Sequence, residues 1–164
     1  LNLQSSAFIF GDADLVKQLY VNLLTNATRH TPCGTAVELT LSSDAEWVKL
    51  IVSANGLGIP AAERTKVFGR FYRLDKTLGS PGTELGLSLV RAVADLHGGQ
   101  IFLSDNRTGL VCTVSFPVAV GSSASAPDPL LSSLITVPNL IRIPVDPSLG
   151  PLAVFERAAE FEYL

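Results

Sequence analysis

Apolar residues recur along this chain with two different periods. Between Ala13 and Arg29 they step by four, at Leu15, Leu19, Leu23 and Ala27, which is the spacing of one helix face. Asp12 stands just ahead of that run. Its carboxylate suits the N-cap, because it can accept from the free amides of a first turn. Before it, Ala7 to Phe10 is a short apolar strand closed by Gly11. After the turn Thr31-Pro32-Cys33-Gly34, the period falls to two. Val37, Leu39 and Leu41 alternate with polar residues, as do Leu50 and Val52 within Trp47 to Val52. Ser42-Ser43-Asp44-Ala45 supplies the hairpin loop between them. Pro60 to Phe68 reads as a short helix with proline in its first turn. Leu85 to Leu96 is again helical and stops at Gly98-Gly99. Gln100 to Ser104 and Leu110 to Phe116 are strands, joined by the turn Asp105-Asn106-Arg107-Thr108-Gly109.

The order β-α-β-β-α-α-β-β predicts an open mixed sheet covered by helices on one face. The pattern changes after Pro117. Gly121-Ser122-Ser123-Ala124-Ser125-Ala126-Pro127 has linker composition. One domain over residues 1–118 and a tail over 119–164 are therefore expected. Within the tail, Leu130 to Val137 can form a strand and Leu152 to Tyr163 a short amphipathic helix. The run Leu134-Ile135-Thr136-Val137 is rich in β-branched residues and suits addition to an exposed sheet edge.

Composition narrows the function classes. The chain has 164 residues, 47% hydrophobic and 16% charged, enough apolar material for a packed core. The formal charge of −3 gives no footprint for nucleic acid. All of it falls in the tail, where Asp128, Asp146, Glu156, Glu160 and Glu162 face only Arg142 and Arg157. Cys33 and Cys112 lack metal-ligand spacing. Cys112, in an alternating apolar run, reads as a buried free thiol. No run reaches the ~20 apolar residues of a membrane span. Leu1-Asn2-Leu3-Gln4 has no leader character and reads as the start of a fragment.

Four segments carry candidate chemistry. Asn22, Asn26 and His30 lie four apart, so they line one edge of the first helix beside Arg29. An amide oxygen there can hold Mg²⁺, though solvent-edge polar residues look the same. Asn55-Gly56-Leu57-Gly58-Ile59-Pro60 follows a strand. Its alternate glycines allow backbone to approach a flat ring or a phosphate, or simply make a turn. Val67-Phe68-Gly69-Arg70-Phe71-Tyr72-Arg73 sets aromatics beside arginines, either as a lid or as a core edge. Gly79-Ser80-Pro81-Gly82-Thr83-Glu84-Leu85-Gly86 runs into the next helix, whose N-terminal amides favour a phosphate.

In this order and spacing, the four segments resemble the N, G1, F and G2 boxes of the catalytic domain of bacterial sensor histidine kinases. The resemblance runs from about Gly11 to Pro117. It implies a two-layer α/β sandwich with a mixed, mainly antiparallel sheet covered on one face by about three helices, the ATP-binding fold shared with DNA gyrase and mismatch-repair ATPases. It also implies ATP and Mg²⁺ held by Asn22, Asn26, Arg29, His30, Gly56, Gly58, Ile59, Phe71, Arg73, Gly82, Thr83, Leu85 and Gly86, with Asn26 on the metal. Further implications are a helical dimerisation and phosphoacceptor domain in a longer parent chain, a possible homodimer through that domain, a response regulator as partner, and a cytoplasmic location, as in the inner part of a membrane-anchored sensor. In hydrolysing relatives a glutamate one turn before the metal-binding asparagine serves as general base. Asn22 stands there and cannot accept a proton, which favours phosphotransfer over water activation.

Two positions depart from the family. Ala54 replaces the aspartate that accepts from the adenine amino group. An unpaired buried donor costs about 1–3 kcal/mol, or roughly tenfold to a hundredfold in affinity. Glu84 stands where the family has glycine, with its carboxylate at the phosphate end. Together they favour a degenerate nucleotide site and a pseudokinase-like signalling module. The alternatives are a variant site still binding ATP through Asn26, Arg29 and the remaining glycines, a working domain that donates the γ-phosphate to a histidine outside this chain, and an anti-sigma-type kinase or partner-binding switch on the same fold.

Overall fold

The computed structural model describes residues 8–70, 72, 86–119, 132–134 and 140–144. Along the chain they form β1 (Phe8–Phe10), α1 (Ala13–His30), β2 (Ala36–Ser43), β3 (Trp47–Asn55), two 3-10 turns (Ala61–Glu63 and Lys66–Phe68), α2 (Gly86–Leu96), β4 (Gln100–Asn106), β5 (Gly109–Pro117), β6 (Ser132–Leu134) and β7 (Leu140–Pro144).

Helix α1 begins where its cap requires. The Asp12 carboxylate accepts from the Asp14 amide at 2.9 Å and the Leu15 amide at 3.1 Å, a cap worth about 1 kcal/mol. At the other end, the Thr31 hydroxyl donates to the Ala27 carbonyl at 2.6 Å. The four-residue stripe is only partly the buried one. Leu19 and Leu23 are buried, but Leu15 and Ala27 are half-buried, and Val16 and Leu24 take their place. A step of four overshoots the 3.6-residue turn, so a strict four-step row drifts off the buried face. Helix α2 ends at the expected glycines: the Gly99 amide reaches back to the Ala94 carbonyl at 2.8 Å. His97 ties the two helices together. Its Nε2 accepts from the Asp12 amide at 3.0 Å, which leaves Nδ1–H to donate to the Val93 carbonyl at 2.7 Å.

The main sheet has the order β4-β5-β3-β2-β7, and every pairing in it is antiparallel. Directly opposed residues share a face. Leu39, Val52, Cys112 and Leu103 form one row across four strands, and Leu41, Leu50, Val114 and Ile101 the next. These rows meet α1 and α2 in a single core. Burial pushes the Cys112 thiol up to about 12, so it is inert, and both cysteines are free. The opposite face carries Thr40, Lys49, Ile51, Ser53, Thr113 and Phe102, half-buried or exposed. The β2–β3 turn is fixed by Asp44, whose carboxyl accepts from Lys49 Nζ and from the Glu46 and Trp47 amides. Those bonds hold it down at about 2.

One expectation is corrected. The segment Pro60 to Phe68 is two 3-10 turns, not one helix. The amides of Glu63, Arg64 and Gly69 bond three residues back. So short a stretch adopts the tighter turn more readily than it nucleates an α-helix. In the tail, the strand that joins the sheet edge is Leu140–Pro144, with Ala36 opposite Pro144 and Thr40 opposite Leu140. Ser132–Leu134 pairs instead with β1 as a separate two-stranded sheet. Residues 135–137 of the expected edge strand, and the expected helix Leu152 to Tyr163, lie outside the described residues.

The packing predicts a sharp contrast between two large side chains. Leu19 is 0% exposed whereas Phe102 is 67% exposed. Leu19→Ala should cost about 2–5 kcal/mol in chemical denaturation. Phe102→Ala should stay within about 0.5 kcal/mol.

Candidate functional site

The candidate residues gather where the C-terminal half of α1 faces the end of β3 and the start of α2. Asn26 lies on this side of α1. A Cβ added to Gly86 would come within 2.8 Å of Asn26 Nδ2 and 3.2 Å of its Oδ1. The Asn26 carboxamide therefore rests against the first described residue of α2, in space that any side chain at 86 would fill. One turn on, His30 meets the loop after β3. A Cβ on Gly56 would collide with the His30 carbonyl oxygen. Glycine at 56 is thus required by the protein's own backbone, whatever the loop binds. His30 itself is exposed at the helix end, yet partial desolvation of its ring, and then the like charge of Arg29, lower its pKa.

The Asn22 side chain bonds along its own helix through its amide nitrogen: Nδ2 donates to the Gln18 carbonyl at 2.8 Å. Arg29 is exposed. Ile59 packs at the margin of the core, and its carbonyl accepts from Arg64 Nε at 3.0 Å. Phe71, Arg73, Gly82, Thr83, Glu84 and Leu85 lie outside the described residues.

Ala54 is the telling position. In register it stands between Val37 of β2 and Leu110 of β5, and it packs against the core. The row Val37, Ala54, Leu110 offers no hydrogen-bond acceptor from its side chains. The nearby polar groups are already used. The Gly56 amide donates to the Thr108 carbonyl at 2.7 Å, and Asn55 Oδ1 accepts from the Thr108 hydroxyl at 2.8 Å. The two ends of the site thus differ in chemistry. Asn26 presents an amide oxygen, a hard donor suited to Mg²⁺, beside Gly86, the first described residue of α2. The Ala54 end is apolar.

Among the described residues no group of three or more His, Cys, Asp or Glu side chains gathers, so a metal there would take Asn26 together with oxygens of a ligand. Sequence reading missed a second set of residues: Arg64, Asp105, Thr108 and Gly109. Asp105, Thr108 and Gly109 meet the Asn55–Pro60 loop from the β4–β5 side, and Arg64 links Asp105 to the Ile59 carbonyl. Nothing local links position 56 to position 108; the link exists only because β5 pairs with β3.

Residues 11–120 match the family described as histidine kinase-, DNA gyrase B- and HSP90-like ATPase. The chain is 35% identical over 116 residues to the adaptive-response sensory kinase SasA of Synechococcus sp. (strain CC9311), covering 69% of this chain and 30% of that protein. It is 40% identical over 103 residues to the signal transduction histidine-protein kinase/phosphatase MprB of Mycobacterium leprae (strain TN), covering 62% and 20%. Among solved structures it is similar to a mycobacterial sensor histidine kinase MprB, with TM-score 0.61 and 28% identity over 69% of this chain and 77% of that one. The ATP binding domain of PrrB from Mycobacterium tuberculosis superposes with TM-score 0.54 and 30% identity, over 69% and 74%. The chain thus spans less than a third of the curated relatives it matches.

The backbone contact at position 56 carries its own prediction. Gly56→Ala must push the loop away from the end of α1. It should lower stability by about 1–3 kcal/mol in thermal or chemical unfolding, even with no nucleotide present.

Proposed function

Since the chain belongs to the histidine kinase-, DNA gyrase B- and HSP90-like ATPase family, as a catalytic ATP-binding domain of the sensor histidine kinase kind, we propose that it is a weakened member, acting in signalling with reduced ATP affinity. The observation that carries this is Ala54, set in an apolar row between Val37 and Leu110. An adenine amino group placed over that row finds no side-chain acceptor. The missing bond weakens binding by roughly tenfold to a hundredfold. Glu84 adds a negative charge on the chain segment that leads to the phosphate end.

A second reading has its own support. Asn26 lies against Gly86, the first described residue of α2, which supports a retained metal-binding amide. On that reading the domain still binds ATP, whose γ-phosphoryl group passes to a histidine on a helical dimerisation domain elsewhere in the parent chain. Asn22, without a proton-accepting atom and bonded to its own helix, supports a kinase over a water-activating hydrolase in either case. A response regulator would then be the downstream partner, and the domain would work in the cytoplasm. No described helix is long and apolar enough to cross a membrane.

Calorimetry with Mg²⁺-ATP tests the proposal. The chain as it stands should bind at least about tenfold more weakly than the double revertant Ala54→Asp, Glu84→Gly. Equal affinity in the two would sink it. Ala54→Asp should also lower the melting temperature of the nucleotide-free protein, because its carboxylate would sit unpaired beside Val37 and Leu110.

A further inference from the structure

Of the apolar side chains in the loop Gly56–Pro60, Ile59 packs at the margin of the core and Leu57 does not. Leu57 is fully exposed. A cavity of about 320 Å³ separates the loop from the β4–β5 turn, lined by Gly56–Pro60 on one side and Asp105–Gly109 on the other. What crosses the gap is polar. Arg64, at the foot of the loop, donates from Nε to the Ile59 carbonyl at 3.0 Å, while its Nη2 pairs with Asp105 Oδ1. At the far end the Gly56 amide donates to the Thr108 carbonyl at 2.7 Å. Between them Gly58 adopts φ 67°, facing the Gly109 carbonyl closely enough that an added Cβ would lie 3.1 Å from its oxygen. The loop is therefore pinned at both ends to one turn, and among the described residues its charged clasp is Arg64.

We propose that Arg64, acting through Asp105, is a positioning residue that fixes the Gly56–Ile59 backbone in the shape a bound nucleotide meets. The proposal rests on the nucleotide-site reading given above. Arg64 suits this role because its planar fork can serve a carbonyl and a carboxylate at once, which a lysine ammonium does less well. The clasp contributes little to overall stability. Asp105 is 77% exposed, and exposed pairs are weak and screened. Its effect is local: it removes freedom from a glycine-bearing loop that is otherwise anchored at Ile59 and Gly56.

The test compares the full chain with Arg64→Ala, Arg64→Lys and Asp105→Asn, with Thr65→Ala as a neighbouring control. Amide hydrogen exchange is read at Gly56 to Ile59 and, for reference, at Leu19 and Val114. Mg²⁺-ADP affinity is read by calorimetry in the Ala54→Asp, Glu84→Gly background. Arg64→Ala should speed loop exchange about tenfold and weaken ADP by about as much, the size expected for a lost charged hydrogen bond. The reference amides and the Thr65→Ala control should not move, and Arg64→Lys should restore part of both effects. Unchanged loop exchange overturns the proposal whether or not nucleotide binds. Faster exchange with unchanged ADP affinity also overturns it, because the clasp would then serve the fold only. If ADP binds in no background, the nucleotide-site reading fails instead, and the positioning role for a nucleotide falls with it.

Discussion

The structure depends on the register of β3 between β2 and β5. That register aligns Leu39, Val52 and Cys112, and then Leu41, Leu50 and Val114, into rows that α1 and α2 can cover together. A shift of one residue would turn every one of those side chains to the other face. The same register sets where β3 ends. Asn55 pairs with Gly109, so the chain leaves the sheet beside the β4–β5 turn. There the Gly56 amide finds the Thr108 carbonyl and packs under the end of α1. The core and the site are thus two results of one pairing.

Backbone contact is the second constraint. Gly56 lies against the His30 carbonyl and Gly86 against the Asn26 carboxamide. The first glycine is demanded by the protein's own backbone before any ligand is considered, and the second leaves the space that the Asn26 carboxamide fills. They bring the end of α1, the loop after β3 and the start of α2 into one place. A site assembled this way can outlive the loss of a particular ligand contact, because the forces that build it are those that hold the fold. An alanine at 54 fits such a frame readily: the row Val37, Ala54, Leu110 is at home beside the core, where a lone carboxylate would be costly.

The tail shows how far edge chemistry reaches. Antiparallel addition of β7 covers the β2 edge with five opposed residue pairs from Ala36 to Thr40. An uncovered edge strand exposes unpaired amides and carbonyls and invites pairing with other chains. The β-branched run at Leu134 to Val137 points toward edge addition as a kind of event. Among the described residues the segment that adds to β2 is Leu140–Pro144.

The sequence by itself determined much of this protein. Periods of four and two located α1, β2 and β3, Asp12 started the helix, and Gly98-Gly99 ended the second one. These features are set by neighbours along the chain, so local chemistry suffices to read them. The ordered motifs around Asn26, Asn55-Gly56 and Gly86 likewise made the family legible. Other features were decided only by the tertiary structure. It replaced Leu15 and Ala27 by Val16 and Leu24 on the buried face and broke Pro60 to Phe68 into two turns. It set Ala54 between two apolar neighbours, gave Gly56 a structural duty, and joined Arg64 to Asp105. Each of these rests on residues brought together by strand register or helix packing across tens of positions, a relation that no local pattern of polar and apolar side chains encodes.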